Sequence, residues 1–275
     1  MKTKSVLAGI ILATSSTVAF ADQFYIDAGI DFGGNANTAA GATTTGWVDE
    51  ALFKYESVTL VTDSDGNGPD NGDAISTMGG FVDGDLLSVQ TNLFSDLSPS
   101  PVFGGPSDND IGSPWGVTFQ FSLSGSLGPA LATDYTSGDV TFFYYDSGMG
   151  ATTDFIELFS VDLLTVTQSL GGPSLKTLVS SVGAGSVNGV AAGDVFNFAD
   201  GSMTDLLGNM VDIFEFIDFN TNPADVTTVN NGDGTYTLTG NHDGSLSFQI
   251  PEPSSLAVLS LGLLGLAGAA RRRKS

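Results

Sequence analysis

Apolar and polar residues alternate along many short segments of the chain, which is the period expected of β-strands. Every second residue is apolar from Phe24 to Phe32, and the pattern recurs from Val117 to Leu123 and from Leu246 to Ile250. Residues 140–145 are bulky at almost every position, as in a strand covered on both faces. Four more apolar segments of strand length are bounded by Gly, Asp or Asn: 54–62, 155–161, 195–198 and 211–219.

Turn residues and helical spacing set the predicted fold class. Asn231-Gly232-Asp233-Gly234 predicts a tight hairpin that leads into a strand over residues 235–239. Helical spacing is rare: Ser174–Val182 is the best helix candidate, and a helix within Leu158–Gln168 is a second one. We therefore predict an all-β domain, an antiparallel β-sandwich of jelly-roll or immunoglobulin-like type with at most one or two short helices.

Both ends of the chain have the composition of targeting segments. Residues 1–21 combine two lysines, an apolar stretch and the sequence Ala19-Phe20-Ala21, which predicts a secretory signal cut by signal peptidase before Asp22. At the other end, Pro251-Glu252-Pro253 precedes an uncharged run, 254–270, and a basic tail, 271–274. The uncharged run is long enough for a short transmembrane helix, and the basic tail places residues 22–250 on the far side of the membrane.

This three-part tail resembles the PEP-CTERM sorting signal of Gram-negative bacteria. The resemblance rests on Pro251, Glu252 and Pro253, the hydrophobic run and the cluster Arg271, Arg272 and Arg273, so it covers residues 251–275 only. It implies recognition by an exosortase, a transient inner-membrane intermediate, and release or attachment at the cell surface. Many members of the family are associated with exopolysaccharide and biofilm matrix. The resemblance implies nothing about the fold or activity of the exported domain, residues 22–250.

The charge of the exported domain excludes several classes of function. Of the 31 acidic residues only Glu252 lies outside residues 22–250, and of the eight basic residues only Lys54 and Lys176 lie inside, so the formal charge there is −28. Such a surface repels phosphate backbones, which excludes nucleic acid as a partner. The absence of cysteine excludes disulfides, zinc–thiolate sites and thiol nucleophiles.

An acidic segment, residues 63–73, is the strongest candidate for a metal site. It opens as Asp63-Ser64-Asp65-Gly66-Asn67-Gly68, which resembles a calcium loop, because Ca²⁺ takes six to eight oxygen ligands and glycine permits the sharp turn. The twelfth position is Ala74, where a bidentate carboxylate is required. A solvated acidic turn is the alternative, and Asp108-Asn109-Asp110 is a weaker case of the same kind. The candidate calcium ligands are Asp63, Asp65, Asn67, Asp70 and Asp73.

Catalytic signals are sparse. His242 is the single histidine and lies in a Gly240–Gly244 segment that predicts a solvated turn, and no Ser occupies a nucleophile elbow. Glu157 and Glu215 interrupt apolar strand candidates and could form the carboxylate pair of a glycosidase.

Three hypotheses of function follow. The one we favour is a non-catalytic surface or matrix protein associated with exopolysaccharide or biofilm. The second is a calcium-assisted carbohydrate-binding module with an accessible aromatic residue, for which Trp115 is a better candidate than Trp47. The third is a glycoside hydrolase that uses Glu157 and Glu215.

Overall fold

The computed structural model describes residues 21–34, 36–82, 86–99, 107–112, 114–129, 132–146, 155–168, 172–220 and 225–251. Within these ranges the chain forms fifteen strands, two short α-helices and a 3₁₀ turn, Ala192–Asp194. The strands are β1 Phe24–Ile26, β2 Val48–Thr62, β3 Ala74–Gly80, β4 Leu93–Pro99, β5 Trp115–Leu127, β6 Thr133–Asp146, β7 Ile156–Gln168, β8 Pro173–Val182, β9 Ser186–Val187, β10 Val190–Ala191, β11 Phe196–Phe198, β12 Gly201–Ser202, β13 Phe214–Asn220, β14 Thr227–Asn230 and β15 Thr235–Gln249; the helices are α1 Leu86–Thr91 and α2 Met203–Gly208.

Eight strands form a closed antiparallel barrel in the order β2, β3, β5, β6, β7, β8, β13 and β15. The closing pair joins β15 to β2 in unbroken register from Thr235 opposite Thr62 to Leu246 opposite Ala51. The prediction of an all-β antiparallel fold is confirmed, whereas the prediction of two packed sheets is wrong. The long β2 and β15 pair with each other along most of their length, and closure satisfies backbone groups that a sandwich leaves at its sheet edges.

Aromatic side chains fill much of the barrel interior. Phe53, Phe119, Phe142, Phe159 and Phe248 are all buried. The rings of Phe142 and Phe159 stack with centroids 4.6 Å apart, and those of Phe53 and Phe119 meet edge to face at 5.1 Å. Phe119 and Phe248 alternate with polar residues along their strands, as the sequence pattern predicts, whereas Phe159 follows the equally buried Leu158.

A group of short elements covers one end of the barrel, which we call the capped end. β1 pairs with β11, and β11 with β12, so the sheet continues beyond the barrel from the start of β2. Phe24 in β1 contacts Phe196 and Phe248 at centroid distances of 5.7 and 5.2 Å. α2 begins with a capping box between Ser202 and Asp205. Apolar side chains of these elements thus extend the barrel core.

Both predicted helices are strands. Ser174–Val182 lies in β8, and Leu158–Gln168 lies in β7. β8 pairs with β7 on one side and β13 on the other, which satisfies its backbone on both edges. Leu175, Thr177 and Val179 are buried at every second position, which is the period of a strand. The helical spacing of Leu175, Leu178, Val179 and Val182 therefore does not determine the structure of this segment.

The two ends of the exported domain meet at the capped end. The backbone N–H of Asp22 donates to the carbonyl of Phe248 at 2.8 Å, and the Asp22 carboxylate accepts the N–H of Ile250. The predicted signal peptide up to Phe20, the Glu252 and Pro253 positions of the sorting motif, the transmembrane run 254–270 and the basic tail lie outside the described residues. Within the described residues, no helix combines the length and apolar character needed to cross a membrane.

Candidate functional site

The end of the barrel opposite the cap encloses a cavity of about 360 Å³. It lies where β2, β5 and β13 finish and β3, β6, β8 and β15 begin, and we call this the cavity end. Tyr55, Phe121, Leu123 and Phe219 form an apolar wall. The ring of Phe219 lies 4.8 Å from that of Tyr55 and 5.2 Å from that of Phe121. An aromatic cluster therefore separates the cavity from the filled part of the interior.

Hydroxyl groups make up the polar part of the cavity lining. The Oγ1 atoms of Thr59 and Thr77 are 2.9 Å apart, and the Tyr135 hydroxyl donates to Thr77 Oγ1 at 3.0 Å. Burial raises the pKa of Tyr135, so this phenol keeps its proton at neutral pH. These residues combine short hydrogen-bonding groups with aromatic surface, a composition common in small-molecule sites.

His242 lies in the middle of β15 and lines this cavity, so the prediction of a solvated turn is wrong. Its Nε2 atom is 2.9 Å from Ser57 Oγ on the paired strand β2. A Cβ atom at position 240 would lie 2.7 Å from two atoms of the ring, so Gly240 provides the space for His242. Gly244 does the same for the ring of Phe53. The glycines mark close packing inside a strand, not a turn.

In the part of the chain that the structure describes, the Ser57–His242 pair lacks the third member of a catalytic triad. His242 Nδ1 is buried and has no hydrogen-bond partner in the described part of the chain, whereas a triad needs a carboxylate there to orient the ring. Burial lowers the pKa of His242, against weaker opposing effects of Asp225 and Asp243, so the ring is neutral at pH 7. The described residues that line the cavity include no Asp, Glu, Lys or Arg.

The acidic segment 63–73 joins β2 to β3 at the cavity end, and its carboxylates bind backbone N–H groups. Asp63 accepts hydrogen bonds from the N–H groups of Gly66 at 2.7 Å and Gly68 at 2.9 Å. These hydrogen bonds, that from Gly68 foremost, lower the pKa of Asp63. Asp73 is buried and accepts from the backbone N–H groups of Ser64 and Asp70 at 3.1 and 3.0 Å. The segment therefore supplies its own hydrogen-bond partners.

The structure does not bring the predicted calcium ligands together. Within the described residues, no three His, Asp or Glu side chains are placed to hold a metal ion. The side-chain amide of Asn67 donates to the Asp65 carboxylate at 2.8 Å, so two of the proposed ligands are hydrogen bonded to each other. Calcium binding stays a prediction, and the geometry explains the segment as an acidic turn.

Thermal unfolding in CaCl₂ and MgCl₂ at equal ionic strength tests the calcium prediction. We expect equal increases in melting temperature, because both ions screen the −28 charge in the same way. A calcium-specific increase that disappears in Asp63→Ala/Asp65→Ala would instead establish a metal site. Asp134→Ala/Asp162→Ala, which removes the same charge from exposed strand positions outside both acidic turns, is the control.

The structure separates the two glutamates proposed as a catalytic pair. A bulge in the pairing of β6 with β7 places Glu157 opposite Phe143, and its side chain is exposed. Glu215 is fully buried in the barrel interior, where Thr177 Oγ1 donates to its Oε2 at 3.1 Å. The hydrolase hypothesis therefore has no support from the position of these residues.

Trp115 is fully buried and is not an accessible sugar-stacking residue. Its ring stacks between Phe32 and Tyr144, with centroid distances of 6.0 and 5.7 Å, and its indole N–H donates to the carbonyl of Asn109. Trp115 opens β5 near the capped end, away from the acidic segment. The lectin hypothesis therefore loses its preferred aromatic residue. Trp47, the second candidate, is partly exposed and packs edge to face on Tyr25 at 5.0 Å.

Comparison with known proteins decides the identity of the tail. Residues 249–274 match the family model of the PEP-CTERM protein-sorting motif. The chain carries a PEP-CTERM sorting motif. No curated protein and no solved structure matches the chain.

The PEP-CTERM motif makes the chain an exosortase-sorted exported protein, with exosortase as its processing partner. The motif begins at the last residue of β15, so the barrel and the sorting signal are contiguous in sequence. Sequence reasoning found this signal but missed the cavity. Ser57 and His242 are separated by 185 residues and meet only because β15 closes on β2.

Proposed function

We propose that this PEP-CTERM protein acts outside the cell as a non-catalytic component of the cell surface or extracellular matrix, in association with exopolysaccharide. The position of the sorting motif is the observation that carries the proposal. The last barrel strand ends at Gln249, Pro251 is exposed, and the motif occupies residues 249–274. An exosortase can therefore reach the motif next to an already folded barrel.

The geometry of the termini supports the same conclusion. Asp22, the first residue after the predicted signal-peptidase site, is hydrogen bonded to Phe248 and Ile250. Both processing events thus act at the capped end, and neither has to open the barrel. The non-catalytic part of the proposal is supported by the exposure of Glu157 and the burial of Glu215, and by the lack of a hydrogen-bond partner for His242 Nδ1 among the described residues.

Replacement of Pro251 and Glu252 by alanine tests the sorting step. We expect the double variant to remain in the inner membrane with its tail uncut, because the hydrophobic run would stay joined to the barrel. Fractionation followed by detection of the barrel measures this. Ser254→Ala/Ser255→Ala, a double change just beyond the Pro-Glu-Pro sequence, should be sorted like the wild type. Efficient appearance of the Pro251→Ala/Glu252→Ala variant at the surface or in the medium would contradict the proposal.

A further inference from the structure

The cavity lies at the end of the barrel opposite the start of the sorting motif, so the motif does not account for it. We propose that it binds one neutral, amphipathic small molecule with a flat apolar body and hydroxyl-type polar groups. This assigns the exported barrel a binding activity that the sorting motif does not imply.

The size of the cavity fits a small organic molecule. Its volume of about 360 Å³ lies in the range of roughly 300–1,000 Å³ that is usual for small-molecule sites. The cavity is partly open at the end of the barrel, where exposed Thr228 of β14 lines it, so a molecule can enter without displacing the packed aromatic interior.

The lining defines the chemistry of the ligand. Tyr55, Phe121 and Phe219 present aromatic surface, which favours a flat apolar body through offset or edge-to-face contacts. Ser57, Thr59 and Tyr135 present hydroxyl oxygens that are hydrogen bonded to His242 or Thr77 and keep a lone pair toward the cavity, so they suit hydroxyl or amine groups of a ligand, which can donate. The ligand is thus apolar along one side and polar along the other.

Charge excludes the ionic alternatives. The described residues of the lining hold no ionised group that could pair with a charged ligand, and burying an unpaired charge is costly. The neutral state of His242 removes the one titratable cation from the wall. Outside the cavity, the acidic segment 63–73 and Asp233 lie on loops at the same end, which repels anions on approach. An amphipathic anion, such as a fatty acid, is therefore a poor ligand.

The orientation of the barrel leaves the cavity accessible during and after sorting. The lining residues of β15 run from Leu238 to His242, and the sorting motif begins at Gln249, seven to eleven residues later, which is roughly 23–36 Å of strand at 3.3 Å per residue. Any attachment through the C-terminal tail therefore places the membrane or surface at the capped end. The cavity end then faces away from the attachment point.

Two fluorescent probes with nearly the same apolar body test the proposal on the processed, exported protein. N-phenyl-1-naphthylamine is neutral, and 1-anilinonaphthalene-8-sulfonate adds a negative charge. We expect saturable fluorescence enhancement with the neutral probe at one site per chain, and affinity for the sulfonate at least about tenfold weaker. No saturable binding of the neutral probe would overturn the proposal, and equal affinity for the two probes would overturn its restriction to neutral ligands.

A matched pair of variants locates the binding. Ser57→Phe places a ring on the cavity wall, whereas Val58→Phe places the same ring on the exposed outer face of the same strand. We expect Ser57→Phe to lose the saturable signal and Val58→Phe to keep its affinity within about twofold. Thr228→Trp, an exposed cavity-lining position of β14, is a second filling variant if Ser57→Phe does not fold. Retained binding in a folded filling variant would overturn the assignment of the site.

The single histidine provides a readout that needs no variant. His242 lines the cavity and is the one imidazole of the chain, so its proton resonances are unambiguous. We expect the neutral probe to shift them in a saturable manner with the same dissociation constant as the fluorescence titration. Fluorescence enhancement with unchanged His242 resonances would place the probe elsewhere and overturn the proposal.

Discussion

Glu215→Gln is expected to make the exported protein more stable than the wild type at about pH 8, with the advantage shrinking toward pH 4.5. Glu215 is fully buried, its Oε1 has no hydrogen-bond partner in the described residues, and burial raises its pKa well above 4.5. The folded protein therefore retains a proton that the unfolded chain releases above pH 4.5. This contribution to stability is complete below pH 4.5 and is lost as the pH rises to the folded-state pKa, at about 1.4 kcal/mol per pH unit.

Chemical unfolding of the wild type and the variant between about pH 4.5 and pH 8 measures this difference, and the same series on Glu157→Gln is the control. Glu157 is exposed, so the same loss of one carboxylate there should change stability by no more than about 0.5 kcal/mol at any pH. Because both variants lose one negative charge, comparing them also corrects for the general effect of net charge on stability. Parallel pH profiles for the wild type and Glu215→Gln would show that Glu215 is ionised in the folded state, contrary to the burial argument.

Asn109→Gly is expected to destabilise the protein by about 2–4 kcal/mol, because one side chain joins three segments of backbone. Its amide nitrogen donates to the carbonyls of Ile30 and Thr43, each at 3.0 Å, and its Oδ1 accepts the N–H of Phe32 at 2.9 Å. Asn109 is fully buried, so its loss removes all three hydrogen bonds; the Thr43 carbonyl then keeps only the N–H of Ala28. Glycine is the informative substitution because Asn109 has φ 50°, which glycine adopts without strain.

Asp110→Gly is the matched control for Asn109. Asp110 is the next residue, has φ 57° and is exposed, so glycine relieves the same backbone conformation without removing a buried side chain. We expect a change within about 0.5 kcal/mol, measured by the same denaturant titration. A similar loss of stability in both variants would attribute the effect to backbone flexibility and not to the Asn109 hydrogen bonds.

The positions of Asn109 and Glu215 in the fold explain why their roles could not be predicted from the sequence. Asn109 lies between two aspartates and has the composition of a metal-binding turn, yet its contacts are with residues 66 to 79 positions away along the chain. Glu157 and Glu215 both interrupt apolar segments, and alternation alone gives no basis for choosing between them. The bulge between Phe142 and Phe143 directs Glu157 outward, while Glu215 remains in phase with the buried positions of β13.

Local signals, in contrast, predicted most of the barrel strands. The alternation in 117–123 lies within β5, that in 246–250 covers the last four residues of β15 and the residue after it, and the Asn231–Gly234 turn joins β14 to β15 as a hairpin. Such signals depend on the pleat and on turn conformations, which involve neighbours close in the chain. The segment Ser174–Val182 was assigned to a helix because its pairing partners, β7 and β13, could not be known from its own residues.

The amino-acid sequence alone was sufficient to predict the strand-rich character of the exported domain, its large negative charge and the PEP-CTERM motif, which the family model matches at 249–274. Each of these depends on local periodicity, on composition or on a contiguous stretch of chain. The closure of β15 on β2, the cavity and the burial of Glu215 required the tertiary structure. They depend on which distant strands pair and in which register. A shift of one residue in β2, β15 or β13 relative to its neighbours would turn Ser57, His242 or Glu215, respectively, to the opposite face of the sheet.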